Sequence, residues 1–75
     1  MDSECVRGAH LRQQRELAGF SVRTLAAAVR LSPTRIRQLE QADRVTLRTT
    51  TAYLNGIAEA WRRRAEDALR LEEAP

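Results

Sequence analysis

Arg35 and Gln38 stand three residues apart in the segment Ser32-Pro33-Thr34-Arg35-Ile36-Arg37-Gln38-Leu39-Glu40-Gln41. Arginine and glutamine can each make a pair of hydrogen bonds to the edge of a base, guanine for the first and adenine for the second. On a helix, Ile36 and Leu39 face inward and Thr34, Arg35, Arg37, Gln38 and Gln41 stay outside. Other chemistries find little support. His10 is the only histidine and Cys5 the only cysteine, which rules out an intramolecular disulfide and any zinc site built on cysteines. The acids Glu66, Asp67, Glu72 and Glu73 have no spacing typical of a metal loop. No phosphate-binding loop, nucleophile–base set or paired catalytic carboxylates stand out. The expectation is a protein without enzymatic activity, metal or cofactor.

The chain has 75 residues, enough for one domain with a small core. Domains of this size are marginal alone and often gain stability by oligomerising. Phe20, Tyr53 and Trp61 are the only aromatic residues, so Leu, Ile, Val and Ala must build the interior. The net charge is +3 and all 13 basic residues are arginine. The excess lies in the N-terminal part: residues 1–45 hold eight arginines against five acids, and residues 46–75 hold five against five. So small a net charge is weak support for a nucleic-acid partner by itself. No apolar run approaches the ~18 residues of a membrane span and no signal-peptide core is present. The expected compartment is the cytoplasm, with no membrane association.

Four helices can be placed. The first spans Val6 to Ala18 and ends at Gly19, a favourable C-cap. Ser21 can cap a second helix, Val22 to Val29, in which Val22, Leu25, Ala26 and Val29 share one face. Arg30 and Leu31 connect it to a third, capped by Ser32, with Pro33 at its first position and its end near Gln41. Ala42 to Val45 read as a loop. Thr46 caps a fourth helix that the apolar period carries past Gly56 towards Ala74 and Pro75. The charge pairs Glu59–Arg63, Arg62–Glu66 and Arg63–Asp67 are spaced i,i+4, so Arg62-Arg63-Arg64 reads as a solvated, self-neutralised face. The fold class is all-α, a compact bundle of four to five helices with a helix-turn-helix and a long C-terminal helix.

From Leu11 to about Ile57 the sequence resembles the lambda-repressor and Cro-like helix-turn-helix family. The residues that carry the likeness are Arg15-Glu16-Leu17-Ala18-Gly19-Phe20-Ser21, the pair Leu25-Ala26, and Ile36-Arg37-Gln38-Leu39-Glu40. The resemblance implies a sequence-specific regulator that binds double-stranded DNA. Thr34, Arg35 and Gln38 match base-reading positions, and Gln41 a position near the backbone. Ser21, Arg23, Arg37 and Arg44 are candidate phosphate contacts. It also implies an ion pair between Arg15 and Glu40. Three positions depart from the pattern: Val22 stands where Gln is usual, Arg30 where Gly is common, and Gln14 where an apolar residue is usual.

These readings divide the chain into a DNA-binding part, residues 1–57, and a C-terminal helix, residues 58–75, that pairs two copies. The expected dimer stripe is Leu54, Ile57, Trp61, Ala65, Ala68, Leu69 and Leu71; fold-back of the helix onto its own chain competes with it. A homodimeric repressor on a palindromic operator is the leading expectation. The alternative is an antitoxin-type module, because Thr46 to Ile57 resembles antitoxins of this fold that bind a partner toxin and their own promoter. No small-molecule ligand is expected.

Overall fold

Gly8 decides where the first helix begins. Its N–H donates to the Ala42 carbonyl at 3.0 Å. A Cβ at this position would stand 2.2 Å from the Leu39 carbonyl oxygen and 2.7 Å from that of Ala42, so only glycine lets the two backbones meet. The structure, a computed structural model, describes residues 5–73. Helix α1 is Gly8–Ala18, two residues shorter at its start than its sequence suggests. Cys5–Val6 instead form a short strand, β1, antiparallel to Val45–Thr46, β2, with Cys5 opposite Thr46 and Val6 opposite Val45. The stretch Ala42 to Val45, expected as a loop throughout, therefore ends in a strand. The β-branched Val6 and Val45 suit a pleated, half-buried edge, and Val45 reaches the core.

The caps lie where the local sequence places them. Gly19 closes α1 in the left-handed region, φ 80°. The Ser21 hydroxyl accepts from the Thr24 N–H at 3.1 Å and opens α2, Val22–Val29. The Ser32 hydroxyl accepts from the Arg35 N–H at 3.1 Å and opens α3, Pro33–Gln41. The Thr46 hydroxyl accepts from the Thr49 N–H at 3.3 Å ahead of α4, Leu47–Glu73. Such caps satisfy donors that a helix start leaves open, each contributing about 1 kcal/mol.

The core gathers Leu11, Leu25, Ala26, Ile36, Leu39, Val45 and Tyr53, with Val22, Val29 and Ile57 packed against it. The fold is all-α apart from the two-strand ladder. Helix α4 runs unbroken for 27 residues, about 40 Å at 1.5 Å per residue, in a molecule 56 Å long and 24 Å across. Gly56 sits inside it because α2 crosses there: a Cβ would fall 2.0 Å from Val29 Cγ1. Beyond Ala60 every described side chain of α4 is exposed. The helix end expected at Ala74 and Pro75 lies outside the described residues. Among the described residues no helix is long and apolar enough to cross a membrane.

Of the three i,i+4 pairs expected along α4, Glu59–Arg63 forms and the other two, Arg62–Glu66 and Arg63–Asp67, do not. Glu59 also takes Arg62, and Asp67 takes Arg70 at 3.6 Å. Arg64 is exposed like its neighbours, but it turns to an aromatic ring instead of an acid. Its guanidinium lies 4.3 Å from the centre of the Phe20 ring, which meets Trp61 edge-on at 6.2 Å. This contact ties the middle of α4 to Phe20, just past the end of α1, while Trp61 stays half exposed.

Candidate nucleic-acid interface

Helices α2 and α3 are joined by the tight turn Arg30-Leu31-Ser32. Arg30 has φ 60° and ψ 41°, the left-handed conformation, and its N–H donates to the Ala26 carbonyl. The Leu31 N–H donates to the same oxygen at 3.0 Å. A conformation that favours glycine is thus held by arginine, and the turn keeps its short form.

Helix α3 buries Ile36, Leu39 and Glu40. At 100° per residue, its opposite face centres on Thr34, Gln38 and Gln41, with Arg35 and Arg37 flanking it on either side. All five side chains are exposed. Arg35 Nη1 donates to Gln38 Oε1 at 3.4 Å, so the two lie side by side. The other expected residues lie on neighbouring segments, Ser21 and Arg23 at the start of α2 and Arg44 just after α3, and all are exposed. Val22, at the position where the family has Gln, packs against the core instead of facing out.

The arginines divide into two groups. Arg12 pairs with Glu16, Arg15 with Glu40, Arg62 and Arg63 with Glu59, and Arg70 with Asp67, while Arg64 covers Phe20. Arg7, Arg23, Arg30, Arg35, Arg37, Arg44 and Arg48 have no ion pair among the described residues. All seven lie in the helix-turn-helix or next to it. Arg23, Arg35 and Arg48 occupy the first turns of α2, α3 and α4, and none of these turns holds an acid. The helix dipole disfavours a cation there by a few tenths of a kcal/mol or more. Arg48 escaped the sequence reading, although an arginine two residues after a helix cap is the signal that could have found it. It lines a shallow apolar groove of about 310 Å³ between α3 and α4, together with Arg35, Leu31 and Ala52.

A buried network holds α3 in place. Arg15 donates through Nε and Nη2 to both Glu40 oxygens, at 2.7 and 3.0 Å, and through Nη1 to the Phe20 carbonyl at 2.9 Å. The Tyr53 hydroxyl donates to Glu40 Oε2 at 2.5 Å. Burial alone would raise the Glu40 carboxyl, but the hydrogen bonds from Arg15 and Tyr53 outweigh it and hold the group below the usual carboxylate range. The hydrogen bond to Glu40 raises Arg15. Burial, and then the bond to Glu40, push the Tyr53 phenol up. The Arg15–Glu40 pair is the one the family likeness implies, and Tyr53 joins it as a third member that the likeness does not name.

A short bundle in which one capped helix props a second, and the second turns Arg and Gln outward, is a helix-turn-helix module. The chain belongs to the helix-turn-helix domain family, of the Cro-like type, whose model matches residues 8–74. That span covers α1 to α4. No curated protein and no solved structure matches the chain. The family points to a DNA-binding regulator.

Proposed function

We propose that the protein is a transcriptional repressor that binds one palindromic DNA sequence as a homodimer. Helix α3 enters the major groove, where Arg35 and Gln38 meet base edges and Thr34 adds a third contact. Ser21, Arg23, Arg37, Gln41, Arg44 and Arg48 hold the phosphates on both sides. Residues 1–57 form the DNA-binding part, and residues 58–75 pair the two copies in the cytoplasm, where the DNA is.

The observation that carries this reading is the partition of the arginines. Those with acidic partners lie on α1 and distal α4, and those without include Arg35 and Arg37 on α3 itself, Arg23 at the start of α2, Arg44 just after α3, and Arg48, which shares a groove with Arg35. Cations placed against three helix dipoles, with no acid nearby, suit an anion from outside the chain. Polyphosphate DNA supplies it.

Selection of bound duplexes from a random pool tests the proposal. One enriched, two-fold-symmetric sequence is expected, with affinity falling steeply and linearly in log salt. A pool that stays random, with binding equal on all duplexes, would overturn sequence-specific regulation.

A further inference from the structure

Helix α4 carries a second apolar strip that the rest of the chain touches only at Trp61, whose ring meets Phe20 edge-on and stays half exposed. Leu47, Leu54, Trp61 and Ala68 follow one another at intervals of seven, and Thr51, Ala58 and Ala65 fall four residues after the first three. These are alternating steps of four and three, the spacing of a helix-pairing seam. Every one of these side chains is exposed, with Leu47 46%, Leu54 39% and Trp61 50% accessible. Ile57 is excluded from the seam because it packs against the core. Leu71 lies some 80° round the helix from Trp61.

We infer that the strip is covered by the same strip of a second copy, running antiparallel, with the two-fold axis passing between Glu59 and Ala60. The inference rests on the homodimer proposed above and adds its orientation. The reason is volume. Antiparallel pairing sets Trp61 of one copy on Ala58 of the other, Leu54 on Ala65, and Ala68 on Thr51. Each layer then joins a larger to a smaller side chain, which fills space evenly. Parallel pairing in register would stack Trp61 on Trp61 and Leu54 on Leu54. Between these bulky layers it would leave Ala58 on Ala58 and Ala65 on Ala65, layers too thin to touch when their neighbours do. The antiparallel register also uses nearly the whole helix, since Leu47 comes alongside the last turn of the second copy. A two-fold contact of this type repeats each layer twice.

The same register sets how far apart the recognition helices stand in the direction of α4, to which the breadth of the helix pair adds. Helix α3 lines one groove with Arg48 and Ala52 of α4. With the axis between Glu59 and Ala60, these positions lie about 23–35 Å from their equivalents along the helix. One turn of DNA, about 34 Å, separates the half-sites that such a dimer reads.

Cysteine cross-linking on the full chain, in a Cys5→Ser background, decides the arrangement. Leu54→Cys and Ala65→Cys are oxidised separately and as an equimolar mixture, and sedimentation gives the oligomeric state of each. Covalent dimer is expected in the mixture and in neither variant alone, because antiparallel copies hold like positions about 16 Å apart and a disulfide needs Cα atoms within about 7 Å. Self-linking of Leu54→Cys would overturn the orientation and leave the homodimer standing. Dimers that sediment as such but never link would move the interface off this strip. A chain that stays monomeric at high concentration would remove both the strip and the homodimer, while selection from the duplex pool would still judge DNA binding.

Discussion

The Tyr53 hydroxyl donates to Glu40 Oε2, the oxygen that also receives Arg15 Nε. One carboxylate thus joins α1, α3 and α4. Glu40 lies in the last turn of the helix that presents Arg35 and Gln38, so the network sets the angle at which that helix leaves the bundle. Removing the carboxylate leaves Arg15, 8% accessible, without its counter-charge. Glu40→Ala is expected to cost about 3–5 kcal/mol, enough to unfold so small a domain. Tyr53→Phe removes one bond to a charged group and is expected to cost about 1.5–3 kcal/mol. Chemical denaturation of both variants measures this; an unchanged midpoint for Glu40→Ala would show that the pair does not hold the fold.

Stability should fall at both ends of the pH scale through this network. The Glu40 carboxyl is held below its unfolded value, near 4.3, so its contribution is present above that pH and is lost as pH falls through the native value. The Tyr53 phenol is raised, so its contribution is complete below about pH 10 and is lost as pH climbs through the native value. Tyr53 is the only tyrosine, so tyrosinate absorbance follows it directly. Native protein should titrate well above the unfolded chain, and coincident titrations would refute the burial of the phenol.

Gly56→Ala should destabilise the protein even though alanine is the better helix former by about 1 kcal/mol. The new methyl would lie 2.0 Å from Val29 Cγ1, and valine is stiff at χ1. Overpacking of this type costs about 1–3 kcal/mol. Val29→Ala alone should also destabilise by opening space, whereas the double variant should recover part of the loss. A double-mutant cycle checks the coupling; additive costs would mean that the two helices do not meet at this point.

Arg30→Gly should stabilise the fold. Arg30 holds φ 60°, a conformation that costs an L residue about 1 kcal/mol more than glycine. Glycine adds unfolded-state freedom, which returns part of that gain, so a net increase of several tenths of a kcal/mol is expected. Thermal melting measures it, and a lower melting temperature would show that the arginine side chain contributes to the turn.

Arg35→Ala and Gln38→Ala should each reduce preference for the selected DNA over random DNA by about 1–3 kcal/mol. Arg44→Ala and Arg48→Ala should weaken both equally and lower the salt slope by about one contact each. Fluorescence titrations at several salt concentrations separate the two behaviours. Equal losses on both DNAs for Arg35 and Gln38 would put the reading face elsewhere.

Much of this fold is local, and local features are legible in the chain. Ser21, Ser32 and Thr46 cap helices because a hydroxyl reaches a backbone N–H only three residues away. Gly19 ends α1 because no side chain hinders a positive φ. The exposed face of α3 follows from where Ile36 and Leu39 stand, and the Arg15–Glu40 pair from the family likeness. What packing decided involves residues distant in sequence. Gly8 meets the end of α3 and cuts α1 short, and Val6 finds Val45 across a ladder. Tyr53 finds Glu40, Arg64 leaves its acidic neighbours for Phe20, and Gly56 takes the weight of Val29. A periodic pattern shows which face of a helix is apolar; only the crossing of helices sets which apolar residues the core consumes. Ile57 was taken inward while Leu54, Ala58 and Trp61 stayed outside, because α2 crosses α4 over Gly56 and covers one side of the helix alone.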